Sequence, residues 1–402
     1  MWEQINANRN RSIILVIGMG ALLVALGYGI GIYFFESAYA GVAVATVVWI
    51  VMTLVGYFQG DSILLATAGA KKIEKKDHPR LFNVVEEMTI ACGLPTMPAV
   101  YIIDDPALNA FATGRDPEKA SVAITSGLLQ KLNRDELQGV IAHEMAHVKN
   151  RDVLLMSMTA VLLGTIVILS YYFSRMLFFT GGGSRRSNDS GGGGAILAIA
   201  GLVFIILAPI FAQLIYFAIS RRREYLADAS AALYTRYPEG LASALEKLGA
   251  STNQVKAANQ ATAPMYTVNP FREKGRKAAD LTSTHPPISE RVKILRKMGG
   301  GVSYTAYEKA AEEVAHHKII PGSALVGGQT LTAREPSPEG AVGEPDKLAR
   351  TRETQNMLFG MSNYRTLNCE NCGTTLRLPP NFKASAVRCP HCGTVNQTTK
   401  TA

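Results

Sequence analysis

Long apolar runs divide the chain. The segments Ile13–Phe35, Ala38–Phe58, Val153–Ser174 and Ala195–Ser220 each lack a charged residue. A bilayer core about 30 Å thick needs about 20 apolar helical residues to cross it, so the pattern predicts four transmembrane helices. The first run is longer than the apolar part of a signal peptide, and no A-x-A-like site falls between it and the second run, so it reads as a retained anchor. Between the second and third runs the pattern changes to mixed polar and apolar sequence. There Asn133 is a good N-cap, Glu136 follows three residues later, and Leu137, Val140, Ile141 and Ala142 form a stripe at helical spacing.

Composition adds an orientation. The chain has 402 residues and a net charge of +9. Its basic residues flank the apolar runs: Arg9 and Arg11 before the first, Lys71, Lys72, Lys75 and Lys76 after the second, Arg221–Arg223 after the fourth. The turn between the first two runs holds only Glu36. Positive residues stay on the cytoplasmic side, which places the N-terminus and the large polar regions there. Arg185 and Arg186 in the loop between runs three and four fit this topology less well. Charge placed in this way favours a membrane surface over nucleic acid as the partner of the basic residues.

The helix that starts at Asn133 carries His143-Glu144-Met145-Ala146-His147, an H-E-x-x-H motif. Residues four apart share a helix face, so both imidazoles can reach one ion with Glu144 beside them. Zinc in a hydrolytic site takes three protein ligands and leaves a fourth position for water, with Glu144 as general base. A third ligand must come from elsewhere. The fourth apolar run returns to the same membrane face and leads into Glu224 and Asp228, again four apart. One of these carboxylates would ligate zinc and the other would fix a ligand imidazole. The residues alone do not say which does which.

Five stretches together resemble the HtpX-type membrane metalloproteases, relatives of the CAAX prenyl proteases. They are Asn109–Gly114 (NAFATG), Val122–Leu129, His143–Asp152 (HEMAHVKNRD), Arg222–Asp228 (RREYLAD), and Ser283–Pro287 followed by Arg291. The likeness runs from residue 1 to about residue 298. It implies that His143, His147 and Glu224 ligate the zinc, that Glu144 is the base, and that Asp228 supports a zinc-binding histidine. It further implies that Asn109, Ala110, Phe111, Ala112, Thr113 and Gly114 form an edge strand to which an extended peptide adds. His285 would lie near the site and stabilise the oxyanion. The implied role is quality control, the cutting of misfolded or damaged membrane proteins.

Family members end near where Met298 falls, and this chain continues. The stretch from Pro321 to Asp346 is poor in large apolar residues and reads as unable to fold alone. Cys369, Cys372, Cys389 and Cys392 then give C-x2-C-x16-C-x2-C, each pair followed by glycine. That spacing reads as a zinc ribbon whose four thiolates hold a structural Zn2+. Its expected partner is another protein. Cys92 reads as an inert packed thiol.

The expected fold is α+β: a helical gluzincin-like core with a small sheet, four transmembrane helices and a small C-terminal zinc ribbon. The expected domains are a transmembrane hairpin over residues 1–60, a protease domain over 61–298 containing a second hairpin over 153–220, a flexible linker over 299–365, and the ribbon over 366–398. The expected activity is a zinc metalloendopeptidase with one catalytic and one structural Zn2+, multi-pass in the cell (inner) membrane, with the catalytic domain and C-terminus cytoplasmic. Processing of lipidated C-termini is a second reading of the same chemistry, though it would want a larger enclosed chamber. A nonenzymatic adaptor is a third, and it has no need of Glu144.

Overall fold

The computed structural model describes residues 2–35, 37–180, 221, 223–258, 262–270, 286–316, 318–326, 329–337, 346–362 and 364–398. Helices α1 (Trp2–Phe35) and α2 (Ala38–Thr67) form an antiparallel hairpin turned at Ser37, whose hydroxyl caps α2. Glycine lets the pair approach closely. A Cβ on Gly41 would lie 2.1 Å from the Gly27 carbonyl oxygen and 2.5 Å from Gly31 Cα. Helix α6 (Asp152–Thr180) packs against both.

This bundle leaves Ile14, Val44, Val47, Leu54, Phe58 and Ile168 exposed. Apolar surface of that extent suits lipid better than water. Two of the described helices, over Ala38–Thr67 and Asp152–Tyr172, are long and apolar enough to cross a membrane. Four crossings were expected. The apolar part of α1, Val16–Ile32, is shorter than those two, and Ala195–Ser220 lies outside the described residues.

A four-stranded sheet follows in the order β1-β2-β4-β3, built from Lys71–Lys72, Ala99–Ile103, Ala120–Thr125 and Ala110–Gly114 respectively. Strands β2 and β4 run parallel, while β3 pairs antiparallel with β4 and forms the edge. Alternate side chains leave opposite faces. Val100, Ile102, Ala110, Ala112, Val122 and Ile124 enter the main core. Ile103, Phe111 and Ala123 enter a second cluster with Leu64 and Leu65 of α2 and Met156 and Ala160 of α6. The sheet therefore joins the soluble core to the ends of the two apolar helices.

The main core is helical. It gathers α3 (Pro79–Cys92), α4 (Ser126–Lys131), α5 (Arg134–Lys149), a helix over residues 223–235 (α7), α8 (Pro238–Ala250) and α9 (Ile288–Lys297). The predicted capping box of α5 is present: Asn133 Oδ1 accepts from Glu136 N, and Glu136 Oε2 accepts from Asn133 N, both at 2.9 Å. Gly139 lets the α8 backbone pass, since a Cβ there would meet Leu241 N at 2.6 Å.

Much of the expected linker is packed onto this core. Strand β5 (Gly301–Val302) pairs with β6 (Leu331–Thr332), and α10 (Tyr304–Ala315) lies on α9. Tyr307, Ala311, Ile319, Ile320 and Met357 are buried in the main cluster. Arg334 bonds Asp135, at the start of α5, at 2.6 Å, and Ser337 N bonds the same carboxylate at 2.8 Å. A short helix α11 (Gly322–Leu325) precedes this stretch, and α12 (Lys347–Met361) follows it and docks on α4. The reading of a flexible stretch is thus corrected for these residues. The composition between Pro321 and Asp346 could reveal neither the apolar anchors on either side of it nor the polar contacts of Arg334 and Ser337 within it.

Two hairpins close the chain: β7 (Arg365–Asn368) with β8 (Thr375–Leu378), and β9 (Ala386–Arg388) with β10 (Val395–Gln397).

Candidate active site

Helix α5 presents His143 and His147 on one face, and α7 brings Glu224 and Asp228 across from them. The three candidate ligand groups of His143, His147 and Glu224 lie within 4.8 Å of one another and are all buried. The two Nε2 atoms are 3.3 Å apart. Glu224 reaches His147 Nε2 at 3.4 Å and His143 Nε2 at 3.5 Å. Tetrahedral zinc with bonds of about 2.0–2.2 Å spaces its ligands by about 3.3–3.6 Å, so these donors fit that ion.

Each imidazole has its own carboxylate on the far nitrogen. His143 Nδ1 lies 3.0 Å from Asp228 Oδ1, and His147 Nδ1 lies 3.2 Å from Asp152 Oδ2. His147 Nδ1 hydrogen-bonds Asp152 and His143 Nδ1 faces Asp228 as an ion-pair contact, which leaves each Nε2 turned toward Glu224. Arg291, fully buried, grips both oxygens of Asp228 at 2.7 Å and comes within 3.7 Å of Glu224. Arg223 stands 3.9 Å from Asp152.

The charges show what the cluster favours. Burial opposes charge on His147, but Asp152 and Glu224 outweigh it and push the group up to about 10. His143 is raised in the same way, against its burial, by Asp228 and Glu224. Burial would raise Asp228, yet Arg291 holds it below the ordinary carboxylate range. Three carboxylates around two imidazoles make a pocket that attracts positive charge, as a divalent cation site must.

Glu144 faces the segment that follows the short turn Ala263–Met265. Thr267 Oγ1 lies 2.7 Å from Glu144 Oε1. Ala110–Gly114 form the edge strand β3, Asn109 stands just before it, and the start of that edge is engaged. Thr267 N donates to the Ala110 carbonyl at 2.9 Å, and Asn109 Nδ2 donates to the Val268 carbonyl at 2.9 Å. His285 lies outside the described residues.

Known proteases share much of this sequence. Residues 75–299 match the sequence model of peptidase family M48. The protease HtpX homolog of Dictyoglomus thermophilum is 46% identical over 298 residues, covering 74% of this chain and 95% of its own. That of Levilactobacillus brevis is 42% identical over 300 residues, covering 74% of this chain and 100% of its own. The chain belongs to peptidase family M48. It is a zinc metalloprotease with helices fit to cross a membrane. The crystal structure of S. mikatae Ste24p is similar to this M48 protease at 21% identity and a TM-score of 0.38, covering 73% of this chain and 67% of that one.

The second cluster lies outside the M48 match. Residues 369–395 match the LSD1 zinc finger. Cys369 Sγ is 3.5 Å from Cys392 Sγ, and Cys372 Sγ is 3.6 Å from Cys389 Sγ. Those distances exceed a disulfide of about 2.05 Å and suit four sulfurs around one metal. Thr394, 3.3 Å from Cys392 Sγ, draws that thiol down to about 5, toward the thiolate a metal needs. Gly373 and Gly393 take left-handed φ values of 68° and 77° that turn the chain around the sulfurs. Cys92 is buried, and burial pushes its thiol up to about 12. This agrees with an inert packed residue.

Sequence reasoning missed Asp152, Thr267 and the task of Arg291. Asp152 and Arg291 belong to the resembling stretches, but no helical spacing ties either to the histidines. Thr267 carried no signal.

Proposed function

We propose that this M48 protease is an endopeptidase of membrane proteins, misfolded or damaged ones among them, with its active site facing the cytoplasm. His143, His147 and Glu224 hold the catalytic zinc, Glu144 is the general base, and Asp228 and Asp152 orient the two imidazoles. The observation that carries the reading is the triangle of ligand atoms with Glu144 on the same helix, beneath an edge strand. When bound, the zinc polarises the scissile carbonyl and makes water acidic.

The chain's own residues do the rest. Asn109 to Gly114 offer backbone and amide groups to an extended peptide. Glu144 takes the proton of the attacking water and delivers it to the leaving nitrogen. The preference for membrane substrates is supported by the cluster that joins Phe111 on β3 to Leu64 and Met156 at the ends of the apolar helices. The flanking basic residues support a cytoplasmic site. The division proposed for the chain is the hairpin over residues 1–60, the protease over 61–298 and the ribbon over 366–398. The four cysteines of the ribbon hold a second, structural zinc, and the ribbon contacts another protein.

Replacement of the base tests this directly. Glu144→Gln keeps every ligand and should retain catalytic zinc while losing proteolysis of a membrane reporter. Proteins captured by that variant and degraded by the wild type identify the substrates. Cleavage at the wild-type rate by the variant would remove Glu144 from the mechanism.

A further inference from the structure

The groups that should receive a peptide are already bound to the chain itself. Ala110 opens the edge strand, and its carbonyl accepts from Thr267 N at 2.9 Å. The Asn109 amide makes a two-way contact with Val268: Nδ2 donates to its carbonyl at 2.9 Å, and Oδ1 accepts from its N at 3.3 Å. Thr267 Oγ1 lies 2.7 Å from Glu144 Oε1 and 2.9 Å from the Ala110 carbonyl. Its single proton can serve only one of these two acceptors at a time. Arg291 donates to the Thr267 carbonyl at 3.4 Å. Beside these contacts the Tyr266 ring is buried edge-on to Phe111, centroids 5.2 Å apart, and Met265 joins the same apolar cluster. The result is a closed site: His143, Glu144 and Glu224 are at most 2% exposed.

We propose that Met265, Tyr266, Thr267 and Val268 occupy the peptide groove as an internal competitor, so that this state is latent and substrate enters by displacing them. The proposal rests on the reading of Asn109–Gly114 and Glu144 given above. The occupant pairs where a peptide backbone would pair, and it places a hydroxyl where the attacking water would bond the base. It holds only the start of the edge. Among the described residues β3 pairs as a strand with β4 alone. Backbone groups alternate in direction along a strand, so Ala112 and Gly114 present the rest of the edge on the same side as Ala110. Ala112 and Gly114 are buried, so an incoming peptide pairs there only as the competitor lifts away. The favoured peptide is extended, with an aromatic or large apolar residue immediately before the residue that bonds Ala110, as Tyr266 precedes Thr267.

Two measurements on the full-length protein in nanodiscs test this, using an unstructured fluorogenic peptide with a central phenylalanine. The first is the kinetics of Tyr266→Ala, which loosens the competitor and touches neither the zinc ligands nor Glu144. If the open form is populated at about one part in ten, the apparent KM falls by about tenfold while kcat is no lower. The second is hydrogen exchange at the Thr267 amide in Glu144→Gln, with the peptide added above the wild-type KM. The Thr267 amide should exchange faster when peptide takes the Ala110 carbonyl, and this arm stands even if Tyr266→Ala fails to fold. A fall in kcat/KM for Tyr266→Ala at wild-type zinc content, or Thr267 protection unchanged or increased on adding peptide, overturns the proposal. Cleavage by Glu144→Gln would instead sink the underlying site reading. A silent Glu144→Gln with unchanged Thr267 exchange sinks only the internal competitor.

Discussion

Asp152 reaches His147 because of one unusual backbone residue. Helix α5 ends at Lys149, Arg151 takes φ of 59°, and α6 begins at Asp152. A non-glycine residue in the left-handed region is uncommon and often marks a functional site. The turn it makes folds the carboxylate back beneath the imidazole. Asp228 could be expected from its helical spacing to Glu224, whereas Asp152 follows a helix break that no periodicity encodes. Removing either charge should loosen the metal without removing a ligand. In a Cys369→Ser background, Asp152→Asn and Asp228→Asn should each lower zinc affinity by about 10–100-fold in chelator competition. Wild-type affinity in Asp152→Asn would make that contact incidental.

His78 carries a second consequence at this scale. It caps α3 through Nδ1 and is fully buried, and burial holds it at about 4 against an ordinary 6.5. The folded protein therefore refuses a proton that the unfolded chain accepts. The stability concerned is complete above pH about 6.5 and is lost as pH falls toward about 4, by up to about 3 kcal/mol. His78→Asn keeps a capping side chain and should flatten the fall of Tm over that range. An unchanged pH slope would show that His78 does not titrate with unfolding.

At the scale of elements, hydropathy found α2 and α6 from length alone, and the capping signals found α5. It could not show how α1 and α2 meet, which depends on where the glycines fall on their facing sides. Gly41→Val would drive a side chain into the Gly27 carbonyl and Gly31. Overpacking of this kind costs about 1–3 kcal/mol and should appear as a lower Tm in detergent. Gly18, with nothing near its Cβ direction, should tolerate alanine far better. The sheet was legible only through its NAFATG stretch, because β1 has just two residues and β4 is buried throughout. The linker reading of residues 299–365 missed the anchors Tyr307, Ile319 and Ile320, which are few and widely spaced. Arg334 and Asp135 show the outcome: the segment after the M48 match bonds the first turn of the motif helix.

For the whole molecule, two groups of candidate metal ligands lie on one chain and share no residue. The M48 match ends at residue 299, and the cysteine cluster begins at 369. Cysteine spacing made the second site legible, because four thiolates need little besides two tight turns. The first site needed the fold, since α5 and α7 bring together residues that are 77 positions apart in the case of His147 and Glu224. Cys369→Ser should therefore remove the ribbon zinc and leave peptidase activity on a model substrate within about twofold, as expected for independent sites. Loss of both together, in a folded protein, would tie the ribbon to the active site.

The most direct measurement is zinc per chain, by elemental analysis, in Glu224→Ala beside the wild type. Two zinc ions are expected for the wild type. One is expected for Glu224→Ala, with proteolysis lost and the ribbon zinc kept. Two ions retained in a folded Glu224→Ala protein would contradict the assignment of Glu224 as the third ligand, and with it the active site described.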